Sequence, residues 1–174
     1  MSLEPGIVLA VGVGQQKWVL ALILRVAFEG TAAYGLFGKR VWPLIPSMES
    51  IVSTERWEDC EQYFFAVKAV EEGLWPVVGT LPAFSDKSWP WPQFRYGVFD
   101  EVAEIDPVTL LFRRFVSPRP DNYRELPHYA FKIGVGAAVS MAKVLGLNIA
   151  HVPGFDLVAQ NQRMQKMRDT GKLE

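Results

Sequence analysis

Cysteine and histidine, the side chains most often used as nucleophiles, bases and zinc ligands, occur three times in this sequence, as Cys60, His128 and His151. Neither histidine belongs to a His-x-x-x-His or Glu-containing metal motif, so both are interpreted as structural or exposed residues. Asp59 and Glu61 flank Cys60 and would raise the pKa of its thiol, the opposite of what a thiolate nucleophile needs. We therefore predict no catalytic residue, no metal site and no cofactor site.

A glycine-containing segment near the N-terminus, Gly12 to Lys17, superficially resembles a phosphate-binding loop. It lacks the Gly-x-x-x-x-Gly-Lys-Ser/Thr spacing, and it precedes a β-rich run instead of a helix. We interpret this segment as a hairpin turn.

Carboxylates are numerous and concentrated in one segment. Residues 49–72 contain seven Asp or Glu side chains against Arg56 and Lys68, a local net charge of −5. Such a charge attracts a basic partner, and tryptophans at its rim would supply anchoring area. An acidic solvated face without a partner is the alternative. The candidate partner-binding residues are Glu55, Trp57, Glu58, Asp59, Glu61, Trp89 and Trp91.

Length and composition favour one globular domain. The 174 residues are 49% apolar and 13% aromatic, enough for a substantial core. A net charge of −1 lacks the basic excess needed to neutralise many phosphates, so direct nucleic-acid binding is not expected. The single cysteine excludes an intrachain disulfide.

The apolar run from Gly6 to Phe28 is long enough to suggest a membrane span. Gln15, Gln16 and Lys17 interrupt it, and Arg25 lies in its second half, so a membrane helix is not expected. Because Glu4 stands where a signal peptide would carry positive charge, we expect a cytoplasmic protein without a membrane partner.

The N-terminal third predicts three consecutive strands, Ile7 to Val13, Trp18 to Phe28 and Thr31 to Phe37. Their continuous apolar character indicates a meander that is covered on both faces. Further strands are predicted at Tyr63 to Val70, Trp75 to Val78, and on both sides of an Asp106-Pro107-Val108 hairpin turn. A short helix is predicted to begin at Ser53-Thr54.

The C-terminal part is helical by composition. One helix is predicted from His128 to Leu145, ending at Gly146, although Tyr129 to Val135 alternates with a period of two. The predicted fold is α+β, a curled antiparallel sheet or small, partly open barrel of five to seven strands with this helix packed on it. Residues 1–150 form the predicted domain, and residues 151–174 form a polar extension, helical or partly disordered, whose segment from Leu157 to Thr170 is helix-compatible.

The most informative segment runs from Gly73 to Gly79, with the sequence GLWPVVG, and the Trp-Pro repeat of residues 89–94 follows it. Together with the strand from Gly6 to Ala10 and the strand ending near Arg25, it resembles the immunity protein 26 family of bacterial polymorphic toxin systems. The resemblance covers roughly residues 5–115.

This resemblance implies a cytoplasmic protein that binds a cognate toxin and neutralises it by occlusion, without turnover or a cofactor. If the toxin is a nuclease with a basic cleft, the acidic segment would mimic nucleic-acid charge. Two other functions stay open. One is a small-molecule or peptide-binding barrel, an enzyme included, with a groove lined by Trp75, Trp89 and Trp91. The other is an oligomerising module that exchanges its polar tail.

Overall fold

A computed structural model describes residues 3–97, 101–159, 161 and 162 of the chain. In these residues the chain forms nine strands in two open sheets, so the fold is α+β, as predicted, with more strands than the expected five to seven and without closure into a barrel. The strands are β1 Ile7–Gly14, β2 Lys17–Ala27, β3 Ala32–Gly38, β4 Cys60–Ala66, β5 Val77–Thr80, β6 Phe94–Tyr96, β7 Glu101–Ile105, β8 Phe112–Phe115 and β9 Phe131–Lys132. The α-helices are α1 Met48–Thr54, α2 Lys68–Glu71 and α3 Gly136–Val144.

The larger sheet has the strand order β5-β1-β2-β3-β4-β9, and the smaller sheet has the order β6-β7-β8. All pairs are antiparallel except β4 with β9. The predicted meander is confirmed as β1, β2 and β3, and its first turn places Gln15 and Gln16 at φ values of 52° and 57°. Two successive residues with positive φ are the conformation that a tight two-residue hairpin requires.

The larger sheet is covered on both faces, as its continuous apolar strands predict. Alternate residues of β1, such as Leu9 and Val11, join one core cluster with Met141 of α3. Val8 points the other way and joins a second cluster with Phe94 and Ile105 of the smaller sheet. The larger sheet therefore lies between α3 on one face and the smaller sheet on the other.

The segment from Gly73 to Gly79 contributes a core anchor and then a strand. Trp75 is 1% exposed, and its ring lies 5.5 Å from that of Phe65 and 6.1 Å from that of Phe37. The predicted strand begins two residues late, at Val77, because the amide of Trp75 donates to the carbonyl of Ala69 in α2 and proline has no amide to donate.

The short helix predicted to begin at Ser53-Thr54 lies earlier in the chain, as α1. Ser47, not Ser53 or Thr54, caps α1, and its hydroxyl accepts from the amide of Ser50 at 3.3 Å. Ser53 and Thr54 instead end this helix, and their hydroxyls donate to the carbonyl of Ser50. A serine or threonine hydroxyl can donate to a carbonyl near the end of a helix as readily as it accepts from an amide at its start. The Ser-Thr pair alone therefore does not show which end of the helix it marks.

The predicted helix from His128 to Leu145 is also wrong in its first half. Phe131 and Lys132 form β9, in agreement with their period-two pattern, and Gly134 adopts a positive φ of 53° before α3 begins. The predicted end is confirmed, since Gly146 has a φ of 67° and the Leu147 amide donates to the Ala142 carbonyl.

Two other strand predictions have clear outcomes, and part of the C-terminal prediction lies outside the described residues. The segment predicted from Tyr63 to Val70 is shorter, because β4 ends at Ala66 and α2 follows. The hairpin turn at Asp106 is confirmed, and its carboxylate accepts from the amides of Val108 and Thr109, both at 2.8 Å. Residue 160 and residues 163–170 of the predicted C-terminal helix lie outside the described residues. Val152, in the predicted extension, packs into the core.

Truncation of Trp75 tests this account of the core. We expect Trp75→Ala to lower the free energy of unfolding by about 3–5 kcal/mol, because it removes a buried indole from two aromatic neighbours. Urea denaturation followed by circular dichroism measures the change. Leu44→Ala, at a side chain that is 77% exposed, is the control and should shift stability by less than about 0.5 kcal/mol. A loss below about 1 kcal/mol for Trp75→Ala would contradict its role as an anchor.

Candidate functional site

The residues most suited to nucleophilic chemistry do not form a reactive site. Burial, and then the charges of Glu55 and Asp59, raises the pKa of the Cys60 thiol to about 12. Its Sγ lies 3.8 Å from the carbonyl of Arg56, to which it donates weakly. His128 directs Nε2 toward the carbonyl of Gly97 at 3.3 Å. At neutral pH Cys60 is therefore a thiol and not a nucleophilic thiolate.

Over the described ranges of the chain, no group of three or more His, Cys, Asp or Glu side chains is placed to hold a metal ion. No helix within those same ranges has both the length and the apolar character that a membrane crossing requires.

The structure brings four of the seven predicted partner-binding residues to one cavity of about 240 Å³, here called the tryptophan pocket. The predicted residues in its lining are Trp57, Glu58, Trp89 and Trp91. The other lining residues are Leu24, Arg25, Tyr34, Leu36, Gln62, Pro90 and Pro92. Strands β2, β3 and β4 thus supply one side of the pocket, and the Trp-Pro repeat supplies the other.

Trp91 is fixed from several directions. Its Nε1 donates to the carbonyl of Ile105 in β7 at 2.6 Å, so the indole has its polar partner inside the protein. Its ring meets the ring of Tyr34 edge-on at 5.0 Å, and the Arg25 guanidinium lies 5.7 Å from its centre. Pro90 and Pro92 restrict the backbone on either side. The pocket therefore has a preformed aromatic wall.

Polar groups lie on the sheet side of the same pocket. The hydroxyl of Tyr34 donates to Oε1 of Gln62 across β3 and β4. Burial raises the pKa of Tyr34, with a smaller opposing effect from the Arg25 charge, so its phenol stays protonated as a donor. The pocket thus combines apolar rings with a guanidinium, an amide and the Glu58 carboxylate at one site.

The acidic segment is less negative in the structure than the charge count of residues 49–72 suggests. Lys39, which lies outside that segment, places Nζ 2.7 Å from Asp59 and 3.4 Å from Glu61. Glu58 is exposed and lines the tryptophan pocket, whereas Asp59 and Glu61 do not line it. The negative charge available at this pocket is therefore mainly that of Glu58.

Two predicted contact residues are buried and cannot be the exposed anchors that the sequence suggested. Glu55 is 6% exposed and Trp57 is 9% exposed. Glu55 follows directly after α1, where its carboxylate packs over Gly38 of β3, a position at which any side chain would collide with it. Trp57 belongs to the second core cluster and is also part of the pocket lining.

The carboxyl of Glu55 has an unusual environment. Its Oε2 is buried and makes no hydrogen bond within the described part of the chain. Burial raises the pKa of Glu55, and the nearby Trp42 and Arg40 partly oppose this effect.

The groove predicted between Trp75, Trp89 and Trp91 does not include Trp75. That residue lies in the other core cluster, on the opposite face of the sheet.

A second cavity of about 400 Å³, here called the edge groove, lies beside the first half of β4. Its lining residues are Cys60, Glu61, Gln62, Tyr63, Arg95, Arg124, Glu125, Leu126, Pro127, His128, Ala130 and Lys132. Sequence reasoning missed this groove because its basic residues come from separate segments and form no motif. Only the pairing of β4 and β6 with residues 127–132 brings them together.

Searches against protein-family profiles, curated proteins and solved structures gave no match to this chain. The resemblance to the immunity protein 26 family therefore stays a prediction carried by the residues quoted for it.

The buried carboxyl of Glu55 generates a pH-dependent prediction. Because its folded-state pKa is raised above the ordinary value of 4.5, the folded protein binds the proton more tightly than the unfolded chain. Stability should therefore fall as the pH rises from about 4.5 through the raised value, and Glu55→Gln should remove that part of the fall.

Urea denaturation of both proteins between pH 4.5 and pH 7.5 checks this, since the stability of Glu55→Gln relative to the wild type should rise with pH. Glu58→Gln, at an exposed carboxyl, is the matched control. A difference between Glu55→Gln and wild type that stays constant across this range would contradict the assignment.

Proposed function

We propose that this chain is a non-catalytic, cytoplasmic immunity protein that binds a bacterial polymorphic toxin and neutralises it by occlusion. The observation that carries the proposal is the convergence of Trp57, Glu58, Trp89 and Trp91 on one pocket. The sequence predicts these residues as partner contacts, and they come from two segments about thirty positions apart. The proposal also rests on the resemblance of the GLWPVVG segment to the immunity protein 26 family.

The size of the tryptophan pocket supports a protein partner. Small-molecule sites usually enclose about 300–1,000 Å³, and this pocket encloses about 240 Å³. A cavity of that volume accommodates one large side chain of a partner. Interface hot spots have this form, in which an aromatic or arginine anchor enters a preformed pocket on the other protein.

The chemistry of the pocket supports a basic or aromatic anchor. Glu58 would pair with a lysine or arginine of the toxin, while the rings of Trp89 and Trp91 would contact its aliphatic or planar part. Exposed Asp59 adds negative charge next to Glu58, although Lys39 shares it. A single lysine or arginine at the rim of a toxin's active-site cleft, such as that of a nuclease, fits Glu58 by charge, while Arg25 in the same lining offsets the net charge of the pocket.

A small-molecule site is the second candidate, and the polar groups of the pocket favour it. Arg25, Tyr34 and Gln62 lie on the sheet side of the aromatic wall, where they could bind a carboxylate on a small aromatic ligand. An Arg25→Ala substitution separates the two functions. It should abolish binding of such a ligand, whereas an anchor held by Glu58 and the tryptophans should keep most of its affinity.

Substitutions that disrupt the tryptophan pocket should abolish protection of cells against the toxin. The assay is growth of cells that co-express this chain with a candidate toxin domain taken from a gene adjacent to its own, together with calorimetry on an inactive form of that domain. We expect Trp89→Ala or Glu58→Lys to weaken binding by about 2 kcal/mol, roughly 30-fold, because each change removes a central contact.

Two controls make this test specific. Glu71→Lys makes the same charge change in the acidic segment but outside the pocket, and Leu44→Ala removes an exposed apolar side chain elsewhere. Both should retain protection. Equal loss in Glu58→Lys and Glu71→Lys would show that net charge, and not the pocket, governs binding. Full protection by Trp89→Ala would contradict the proposed interface, and failure of the wild-type chain to bind the toxin would contradict the function.

A further inference from the structure

The edge groove lies beside a stretch of β4 backbone that has no neighbouring strand among the described residues. Strand β4 pairs with β3 along its whole length, from Cys60 to Ala66. On its other side β9 pairs only with Phe64 and Phe65. Among the described residues no strand pairs with the outer side of Cys60–Tyr63, and all four of these residues line the groove.

This open edge presents hydrogen-bonding groups to the groove. In an antiparallel ladder, every second residue points its N–H and C=O away from the partner strand. Two of the four residues in Cys60–Tyr63 therefore direct backbone groups away from β3 and into the groove. Unpaired groups of this kind are the template on which a further strand is added.

The opposite wall is held away from β4 by the smaller sheet. The Arg95 amide donates to the Pro127 carbonyl at 2.9 Å, and the Tyr129 amide donates to the Arg95 carbonyl at 2.7 Å. The side chain of Arg95 also donates through Nε to the carbonyl of Leu126 at 3.1 Å. Because these bonds occupy residues 126–129, the chain reaches β4 only at β9, and the gap is built into the fold.

Cationic side chains outnumber acidic ones by one in the lining of the groove. The cationic residues are Arg95, Arg124 and Lys132, and the acidic residues are Glu61 and Glu125. Lys39, from outside the groove, already engages Glu61 at 3.4 Å. The charge balance therefore favours a ligand with carboxylates.

We propose that the edge groove binds an extended, acidic segment of a partner protein by adding it as a strand to Cys60–Tyr63 of β4. A segment paired with these four residues spans about 13 Å at a rise of about 3.3 Å per residue. Its backbone bonds β4, and its carboxylates lie on the side of the groove that carries Lys132. This inference goes beyond the proposed function and uses a different cavity, so either can fail alone.

The probe is the peptide N-acetyl-Glu-Val-Glu-Val-Glu-amide, titrated into the full chain labelled with ¹⁵N. We expect the amide signals of Cys60–Tyr63 to shift and their hydrogen exchange to slow, because the added strand protects backbone donors. The same peptide with lysine in place of glutamate should not bind. If the peptide changes neither the amide signals nor the hydrogen exchange of these four residues, the proposal is overturned.

Methylation of the peptide backbone distinguishes strand addition from attraction of charge alone. Two peptides carry N-methyl groups on alternate residues, so that one of them loses the donors that face β4. We expect that one to bind at least about tenfold more weakly than the other, as loss of paired backbone donors requires. Equal binding of both, or displacement of the peptide by citrate at matched charge, would assign the groove to small anions and overturn the proposal.

Two matched lysine-to-glutamate substitutions test whether the peptide binds in the edge groove. Lys132→Glu should weaken peptide binding at least about tenfold, because it reverses a charge inside the groove, whereas Lys143→Glu, on the exposed side of α3, should not. Trp89→Ala should bind the peptide as the wild type does, since it lies in the other cavity. Equal weakening by both lysine substitutions would contradict binding in the groove.

Discussion

The larger sheet is apolar on both faces, and the rest of the structure depends on covering both of them. Adjacent residues of β1, such as Val8 and Leu9, are each fully buried although they point in opposite directions. An antiparallel sheet usually leaves one face to solvent, so this requirement is unusual for a meander. The chain satisfies it with α3 on one face and a separate small sheet on the other.

This covering also determines where the cavities lie. After the smaller sheet is complete, the chain must return to the larger sheet, and residues 127–132 make that connection. They pair first with Arg95 of β6 and then with Phe64 of β4, so the two sheets are joined at one end and separate at the other. The edge groove is the space that this separation leaves, and the tryptophan pocket opens where the Trp-Pro repeat crosses the second face.

Local signals predicted the parts of the fold that local forces determine. The continuous apolar runs of β1 to β3, the hairpin at Asp106 and the glycine end of α3 were all recognisable from the sequence. The helix predicted from His128 to Val135 is wrong because pairing with β4 selects the strand conformation that the period of two indicates over the helical composition. The helix start predicted at Ser53 is wrong because a hydroxyl can bond the backbone at either end of a helix.

The candidate site was predictable in the same unequal way. Tryptophans near acidic residues identified Trp89 and Glu58, but nothing local indicated that Arg25, Tyr34 and Gln62 would meet them. Those contacts follow from sheet register, in which Tyr34 pairs with Phe64 and the chain neighbours of each come into reach. Register is a long-range property, because shifting β4 by one residue would turn its side chains to the opposite face.

That register has a further consequence at Gln62. Its side chain accepts from Tyr34 in the tryptophan pocket, while the residue also lines the edge groove beside the open backbone of β4. The tyrosine bond joins β3 to β4 beside the backbone ladder that fixes the register of these two strands. The two cavities thus share Gln62 but draw their other side chains from different segments. Aromatic rings stand beside Arg25 and Glu58 in one, and three cationic and two acidic side chains line the other. A single partner that used both would need a basic or aromatic anchor and an acidic extended segment at separate positions.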